Sequence, residues 1–254
     1  MKTCAVIPAA GTGTRLGSPI PKILLPITEN ETVLSIIYQK LFPIVDHIHI
    51  IVSPAGASLI GTHLAEAIKN NFVSINIQHE PKGMGDAIFR SYPFWAKAQN
   101  ILVMWGDQVF VSEKTLKNIF TSHAGAERTV TLPLARMENP YVEYVFDKHS
   151  RLVNVHQSRE GDICSPGGLS DVGTFMLSVP DLLSEWENYI NKSIEGVETG
   201  EINFLPFLPF LDGQGWQVRI TDVTDPTESR GINTAADLLF FQQLYSKKLN
   251  RVAT

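Results

Sequence analysis

No stretch narrows the possibilities more than residues 6–26, VIPAAGTGTRLGSPIPKILLP. A short apolar strand over residues 4–7 runs into a loop of small residues. Ala9, Ala10, Gly11 and Gly13 keep side chains out of the way, so backbone N–H groups can approach phosphate oxygens closely. Two cations follow, Arg15 and Lys22, in a loop stiffened by Pro19, Pro21 and Pro26. Backbone donors with fixed positive charge beside them are what a triphosphate requires. A dinucleotide fingerprint would need Gly-x-Gly-x-x-Gly, but Leu16 stands where the third glycine belongs and Gly17 comes one residue late. A P-loop would need Gly-Lys-Ser/Thr after its glycines, and that is absent. A plain strand-to-loop connection accounts for the glycines alone. It does not account for Arg15 and Lys22 at this spacing, followed by Leu25-Pro26.

Beyond the loop, the pattern alternates. Strand-like runs at 47–52, 73–77 and 101–104 are separated by helical spacing at 31–41, 57–69, 85–98 (interrupted by Pro93) and 113–120. Such alternation predicts a mostly parallel sheet covered on both faces, with ligands gathered at the carboxyl ends of its strands. After residue 125 the order changes. Strand-like runs at 129–134, 142–146 and 152–155, the last two joined by a polar turn at 147–150, read as an antiparallel insertion. A strand at 173–179, a helix at 180–191, a less regular helical piece at 198–210, a strand at 216–223 and an amphipathic closing helix at 234–249 complete the chain. The expected organisation is one domain over 1–254. Residues 1–125 form a nucleotide-binding part, 126–233 an acceptor-binding part and 234–254 the closing helix.

Composition excludes several classes of function. The 254 residues are 44% hydrophobic and 19% charged, which is globular and enough for one substantial core. The net charge is −5 with no basic block, which argues against a nucleic-acid surface. No apolar run is long enough to span a membrane, and the N-terminus shows no signal-peptide pattern, so a cytoplasmic protein is expected. The two cysteines suggest no disulfide framework. His47 and His49 share one side of a strand and read as strand-surface residues rather than metal ligands.

Two further stretches carry chemistry. The run Gln78-His79-Glu80-Pro81-Lys82-Gly83-Met84-Gly85-Asp86-Ala87 follows a strand and opens a helix, as an ordinary turn before a helix also would. Trp105-Gly106-Asp107 ends the strand at 101–104. A carboxylate at the tip of a buried strand is costly unless a cation or hydrogen bonds meet it, and Mg²⁺ prefers carboxylate together with phosphate oxygens. Gly231-Ile232-Asn233 precedes the last helix, where Asn233 reads equally well as a helix cap.

These stretches together resemble the signature of the sugar-nucleotide pyrophosphorylases, a family of nucleotidyltransferases. The likeness is nearest to their N-acetylglucosamine-1-phosphate uridylyltransferase domain. It is strong at 5–26, moderate at 78–87 and 101–108, and weaker but in register at 139–177 and 230–238. The acetyltransferase hexapeptide repeats are absent. The resemblance implies an α/β, GT-A-like nucleotidyltransferase fold: a Rossmann-like, mostly parallel mixed sheet with helices on both faces and an antiparallel insertion on the sugar side.

It further implies a Mg²⁺-dependent enzyme joining a nucleoside triphosphate, UTP favoured, to a sugar 1-phosphate. Arg15 and Lys22 would be catalytic, and Ala9, Ala10, Gly11 and Gly13 would bind phosphate. Gln78 and Gly83 fall on the positions that hold the base. Asp107 falls on the metal-holding, nucleotide-contacting aspartate and Asn233 on the second metal ligand. Met84 replaces the family's threonine between two glycines. In the sugar pocket the family's Asn-Pro-Thr-Gly-Tyr-Gly becomes Asn139-Pro140-Tyr141-Val142-Glu143-Tyr144. Tyr144 therefore stands where a glycine binds sugar. Gln157 takes the place of a glutamate, and Asp171-Val172-Gly173 that of Asn-Thr-Gly. A bulkier pocket of altered polarity points to a different sugar or a polyol phosphate. Two alternatives stay open: a cytidylyltransferase for a polyol or isoprenoid-precursor phosphate, and a non-catalytic nucleotide-binding regulatory relative.

Overall fold

A computed structural model describes residues 1–11, 16–18, 20–192 and 195–252, with side chains to residue 247. The strands are β1 (Thr3–Ala9), β2 (His47–Val52), β3 (Val73–Ile77), β4 (Asn100–Met104), β5 (Thr129–Arg136), β6 (Val142–Phe146), β7 (Leu152–Gln157), β8 (Leu169–Asp171), β9 (Thr174–Ser178) and β10 (Gln217–Asp222). The helices are α1 (Val33–Leu41), α2 (Pro54–His63), α3 (Ala65–Lys69), α4 (Met84–Arg90), α5 (Tyr92–Trp95), α6 (Glu113–His123), α7 (Leu182–Ile190), α8 (Phe207–Gly213) and α9 (Ala235–Val252).

The main sheet runs β10-β5-β9-β4-β1-β2-β3, with β8 added on β5. β1, β2, β3 and β4 are mutually parallel, and so are β5 and β10. β9 runs antiparallel to β4 and β5, and β8 antiparallel to β5. β6 and β7 form a separate antiparallel ribbon; the first strand of the expected insertion, β5, lies instead in the main sheet, where it pairs with β9 and runs parallel to β10. This is the mostly parallel mixed sheet that the alternating pattern implies.

Successive side chains on a strand point to opposite faces, and β1 feeds a core on each. Ala5 and Ile7 join Leu34 of α1, Ile60 of α2, Leu116 of α6 and Phe241 of α9. Cys4 and Val6 join Ile88 of α4, Trp95 of α5, Trp186 of α7 and Phe207 of α8. All four β1 residues are at most 1% exposed, which is why the strand reads as continuously apolar. Hydroxyl caps set the helix starts. The Thr32 and Ser35 side chains cap α1 reciprocally, Ser53 accepts from Gly56 N–H at α2, and Ser112 accepts from Thr115 N–H at α6.

Four further details differ from the sequence reading. The helix expected over 57–69 is two, α2 and α3, meeting at Leu64. Residues 198–206 are not helical; α8 begins at Phe207, and Glu201 and Asn203 are tied to Arg159 and Glu160 instead. β8, only three residues long, was not foreseen. His49 is no surface residue: it is fully buried, stacked on Phe94 at 4.1 Å, and bonded to Ser74 and Asn76. Burial holds its imidazole down to a pKa of about 4.

Candidate active site

β1 and β4 are parallel neighbours, so the loops leaving their carboxyl ends emerge side by side. Gly106 makes this approach possible: a Cβ there would lie 3.0 Å from the Ala9 Cβ and 3.4 Å from the Pro8 carbonyl oxygen. The strand tip carrying Asp107 is thereby laid against the start of the small-residue loop. Ala9 ends the strand there, Ala10 follows it, and Gly11 is exposed. Gly13 and Arg15 lie outside the described residues.

Lys22 sits on a 3-10 turn, Lys22–Leu24, anchored by the buried side chains of Ile23 and Leu24. Its ammonium donates to Asp107 Oδ2 at 2.6 Å and to Asn233 Oδ1 at 3.3 Å. Three residues separated by 85 and 211 positions thus meet at one nitrogen. Both ion-pair partners are largely enclosed, with side chains 24% and 14% exposed, so solvent screens the pair incompletely.

Local structure fixes each partner. The segment after Asp107 is pinned by the Lys40 ammonium, which donates to the Val109 and Val111 carbonyls at 2.6 and 2.8 Å, and by the Tyr245 hydroxyl, which donates to Val109 O at 2.7 Å. The Ile232 N–H reaches back to Asp107 O at 3.3 Å. Asn233 is not the cap of α9. Thr234 fills that role: its hydroxyl oxygen accepts from the Asp237 N–H, and the Asp237 carboxylate accepts from the Thr234 N–H. Asp237 also accepts from the Asn233 N–H and pairs with Arg230, leaving the Asn233 side chain turned toward Lys22.

The oxygens of Asp107 and Asn233 converge on a single cation, the Lys22 ammonium. Two hard oxygens converging on one point suit a divalent ion that takes its remaining ligands from phosphate and water, as Mg²⁺ does. Among the described residues, no cluster of three or more His, Cys, Asp and Glu offers an all-protein cage.

A second cluster lies where β3 leads into α4. The Gln78 amide donates to Gly83 O at 3.3 Å and to Asp86 Oδ2 at 2.8 Å, and Arg90 clamps Asp86 in turn. The two residues expected to hold a base are therefore in contact. Gly83 has φ +104°, and a Cβ there would meet Ile202 O at 2.7 Å. Gly85 is packed as tightly, its absent Cβ 2.3 Å from the Trp186 ring. Asp86 and Arg90 went unnoticed in the sequence; their only signal was an i, i+4 charge pair on a helix.

The third group comprises the residues expected to meet the acceptor, Tyr144, Gln157 and Asp171. Asp171 is 7% exposed, and its Oδ1 accepts from the Gly173 N–H at 2.6 Å. Burial raises its carboxyl to a pKa of about 6, which that hydrogen bond tempers; Asp107 adds like-charge repulsion, tying this cluster to the first. The Tyr144 hydroxyl is buried beside Asp171 without closing a regular hydrogen bond, and its ring belongs to the core. Gln157 is enclosed where β7 pairs with Val142 of β6. On the rim, Arg159 pairs with Glu160 and Glu201.

Comparison with known proteins places this geometry in context. The model of the MobA-like NTP transferase domain matches residues 5–189. The bifunctional protein GlmU of Clostridium perfringens is 26% identical over 262 residues, covering 99% of this chain and 54% of its own length. GlmU of Buchnera aphidicola subsp. Schizaphis graminum is 27% identical over 256 residues, covering 96% and 51%. The chain thus spans about half the length of these curated relatives. A Bacillus anthracis protein described as a glucose-1-phosphate thymidylyltransferase, in complex with sucrose, superposes with a TM-score of 0.72 at 16% identity, covering 95% of this chain and 94% of that one. That likeness is one of fold. No helix among the described residues is long and apolar enough to cross a membrane.

Proposed function

Because the chain belongs to the MobA-like NTP transferase family, we propose that it is a nucleotidyltransferase joining a nucleoside triphosphate to a sugar 1-phosphate with release of pyrophosphate. The observation that carries this is the meeting of Lys22, Asp107 and Asn233 at the carboxyl edge of β1 and β4. The acceptor's phosphate oxygen attacks the α-phosphorus in line and pyrophosphate leaves. The protein contributes position and charge rather than a covalent nucleophile.

Lys22, held by buried neighbours, neutralises phosphate oxygens near the reacting centre. Arg15 takes the leaving β,γ-phosphates, and the N–H groups of the loop at Ala9, Ala10, Gly11 and Gly13 hold the nucleotide phosphates. Asp107 and Asn233 would hold Mg²⁺, which would supply charge neutralisation at the reacting phosphates. Gln78 and Gly83 receive the base. The Gln78 amide nitrogen is engaged by Gly83 O and Asp86, which leaves its oxygen to accept from a uracil N3–H, a reading that favours UTP. Similarity to GlmU proteins supports the same class of reaction.

On the acceptor side, Asp171 and Gln157 offer hydrogen-bond acceptors. Tyr144 fills the place where the family resemblance puts glycine. That observation favours a smaller or linear acceptor and keeps a second reading in view, a cytidylyltransferase for a polyol phosphate. A matrix of the four nucleoside triphosphates against sugar 1-phosphates and polyol phosphates, read as pyrophosphate release with Mg²⁺, tests both. Turnover by a sugar 1-phosphate supports the first reading and turnover with CTP and a polyol phosphate the second. Nucleotide binding without pyrophosphate release in any combination rejects both.

A further inference from the structure

Gln108 stands next to Asp107 in sequence and is 5% exposed, yet its Oε1 has no hydrogen-bond partner. A buried amide oxygen left unpaired destabilises a fold, so its presence at such a position calls for another reason. Its surroundings supply one. The side chain is wedged between two glycines that flank the candidate ion site. A Cβ at Gly173 would lie 2.4 Å from Gln108 Cγ and 2.7 Å from its Nε2. A Cβ at Gly231 would lie 3.1 Å from Gln108 Nε2 and equally 3.1 Å from Asp107 Oδ2. The amide nitrogen and the carboxylate therefore border the same small space. Gly173 gives its N–H to Asp171, and Gly231 leads into Asn233, so the wedge touches both segments that face Asp107.

We infer that Gln108 is a positioning residue for the divalent-ion site. Its side chain spaces the Gly231–Asn233 turn from β9, and its amide nitrogen orients the Asp107 carboxylate toward the ion. A carboxylate that binds metal is itself commonly held by an outer donor, and loss of such a donor weakens metal binding by roughly 10–100-fold. Gln108 does not touch substrate; it acts through Asp107. The inference rests on the ion assignment made above for Asp107 and Asn233.

The test is Mn²⁺ binding, read by electron paramagnetic resonance of free and bound ion with UTP as nucleotide. Alongside it, UTP binding in EDTA is read by equilibrium dialysis, and thermal unfolding is followed. Gln108→Met keeps the length of the side chain and removes both the donor and the unpaired oxygen. The expected result is Mn²⁺ affinity reduced about tenfold or more, metal-free UTP binding unchanged and an unfolding midpoint no lower than the parent's. Gly231→Ala, which crowds Asp107 and Gln108 from the other side, should reproduce the selective loss. Parent-like Mn²⁺ affinity in both variants overturns the role of Gln108, as does equal loss of Mn²⁺ and metal-free UTP binding. Failure of the parent itself to bind Mn²⁺ overturns the ion assignment beneath it.

Discussion

Lys22 Nζ lies 2.6 Å from Asp107 Oδ2, although 85 residues separate the two in the chain. A cation from the loop after β1 and a carboxylate from the turn after β4 thus meet in a direct ion pair. An ammonium already held beside the proposed phosphate site would stabilise developing charge without reorganising at the moment of reaction. Lys22→Met should lower kcat by roughly a hundredfold or more, by the scale seen when a single transition-state donor is removed. A variant within threefold of the parent would remove Lys22 from the chemistry.

Asp107 and Asn233 should differ in what their loss does. Asp107→Asn removes the only anion of the proposed ion-holding pair, so activity should fall at every Mg²⁺ concentration. Asn233→Ala leaves that charge in place and should raise the Mg²⁺ concentration needed for half-maximal rate, with partial recovery at high Mg²⁺. Titrating Mg²⁺ against initial rate checks both. Identical Mg²⁺ curves for the parent and Asn233→Ala would exclude Asn233 as a ligand.

Gly85 tests how closely the base-side cluster is packed. A Cβ there would stand 2.3 Å from the Trp186 ring and 2.8 Å from Ile202 O. Gly85→Ala should destabilise the fold by about 1–3 kcal/mol through overpacking. It should also raise the KM for nucleotide more than it lowers kcat, because the 201–202 segment must shift against Gly83. Urea unfolding and steady-state kinetics on one preparation separate the two effects.

Stability should depend on pH through buried histidines. Burial holds His49 and His123 at a pKa of about 4, against 6.5 for an ordinary histidine. The unfolded chain therefore binds more protons between pH 6.5 and 4, and stability falls as pH falls through that window. The size is about 1–3 kcal/mol per histidine. Asp171 works in the opposite sense. Its folded carboxyl, raised to about 6, stabilises most at low pH and loses that contribution as pH rises through 6. Two histidines outweigh one aspartate, so the parent should weaken between pH 6.5 and 4.5. His123→Gln, which gives up the contacts to Thr131 and Asn100, should show a shallower loss. An unchanged slope would place the titration elsewhere.

Much of this arrangement was legible in the sequence because its signals are local. The strands of the parallel half follow from apolar runs such as 47–52 and 73–77, both found as read. Lys22, Asp107 and Asn233 were legible through charge and motif, since each sits at the boundary of a regular element. What escaped depends on contacts between distant segments. Residues 198–206 carry apolar side chains that mimic a helix, but Glu160 and Arg159, some forty positions away, tether Thr199, Glu201 and Asn203 as a loop. β8 is too short for any period to show. His49 reads as a surface residue until Phe94 is seen to cover its side of the strand. The capping role passed from Asn233 to Thr234 because Asp237, three residues on, completes the reciprocal pair with Thr234.

One measurement bears most directly on the proposed chemistry. UTP labelled at its α-phosphate is incubated with the protein, Mg²⁺ and the acceptor phosphate selected by the substrate matrix. Label and pyrophosphate are then followed together. The expected result is one pyrophosphate released for each labelled nucleotide joined to acceptor, with no label on the protein and no reaction in EDTA. Label recovered as free UMP, or bound covalently to the chain, would contradict direct transfer between two phosphates gathered by Lys22, Asp107 and Asn233.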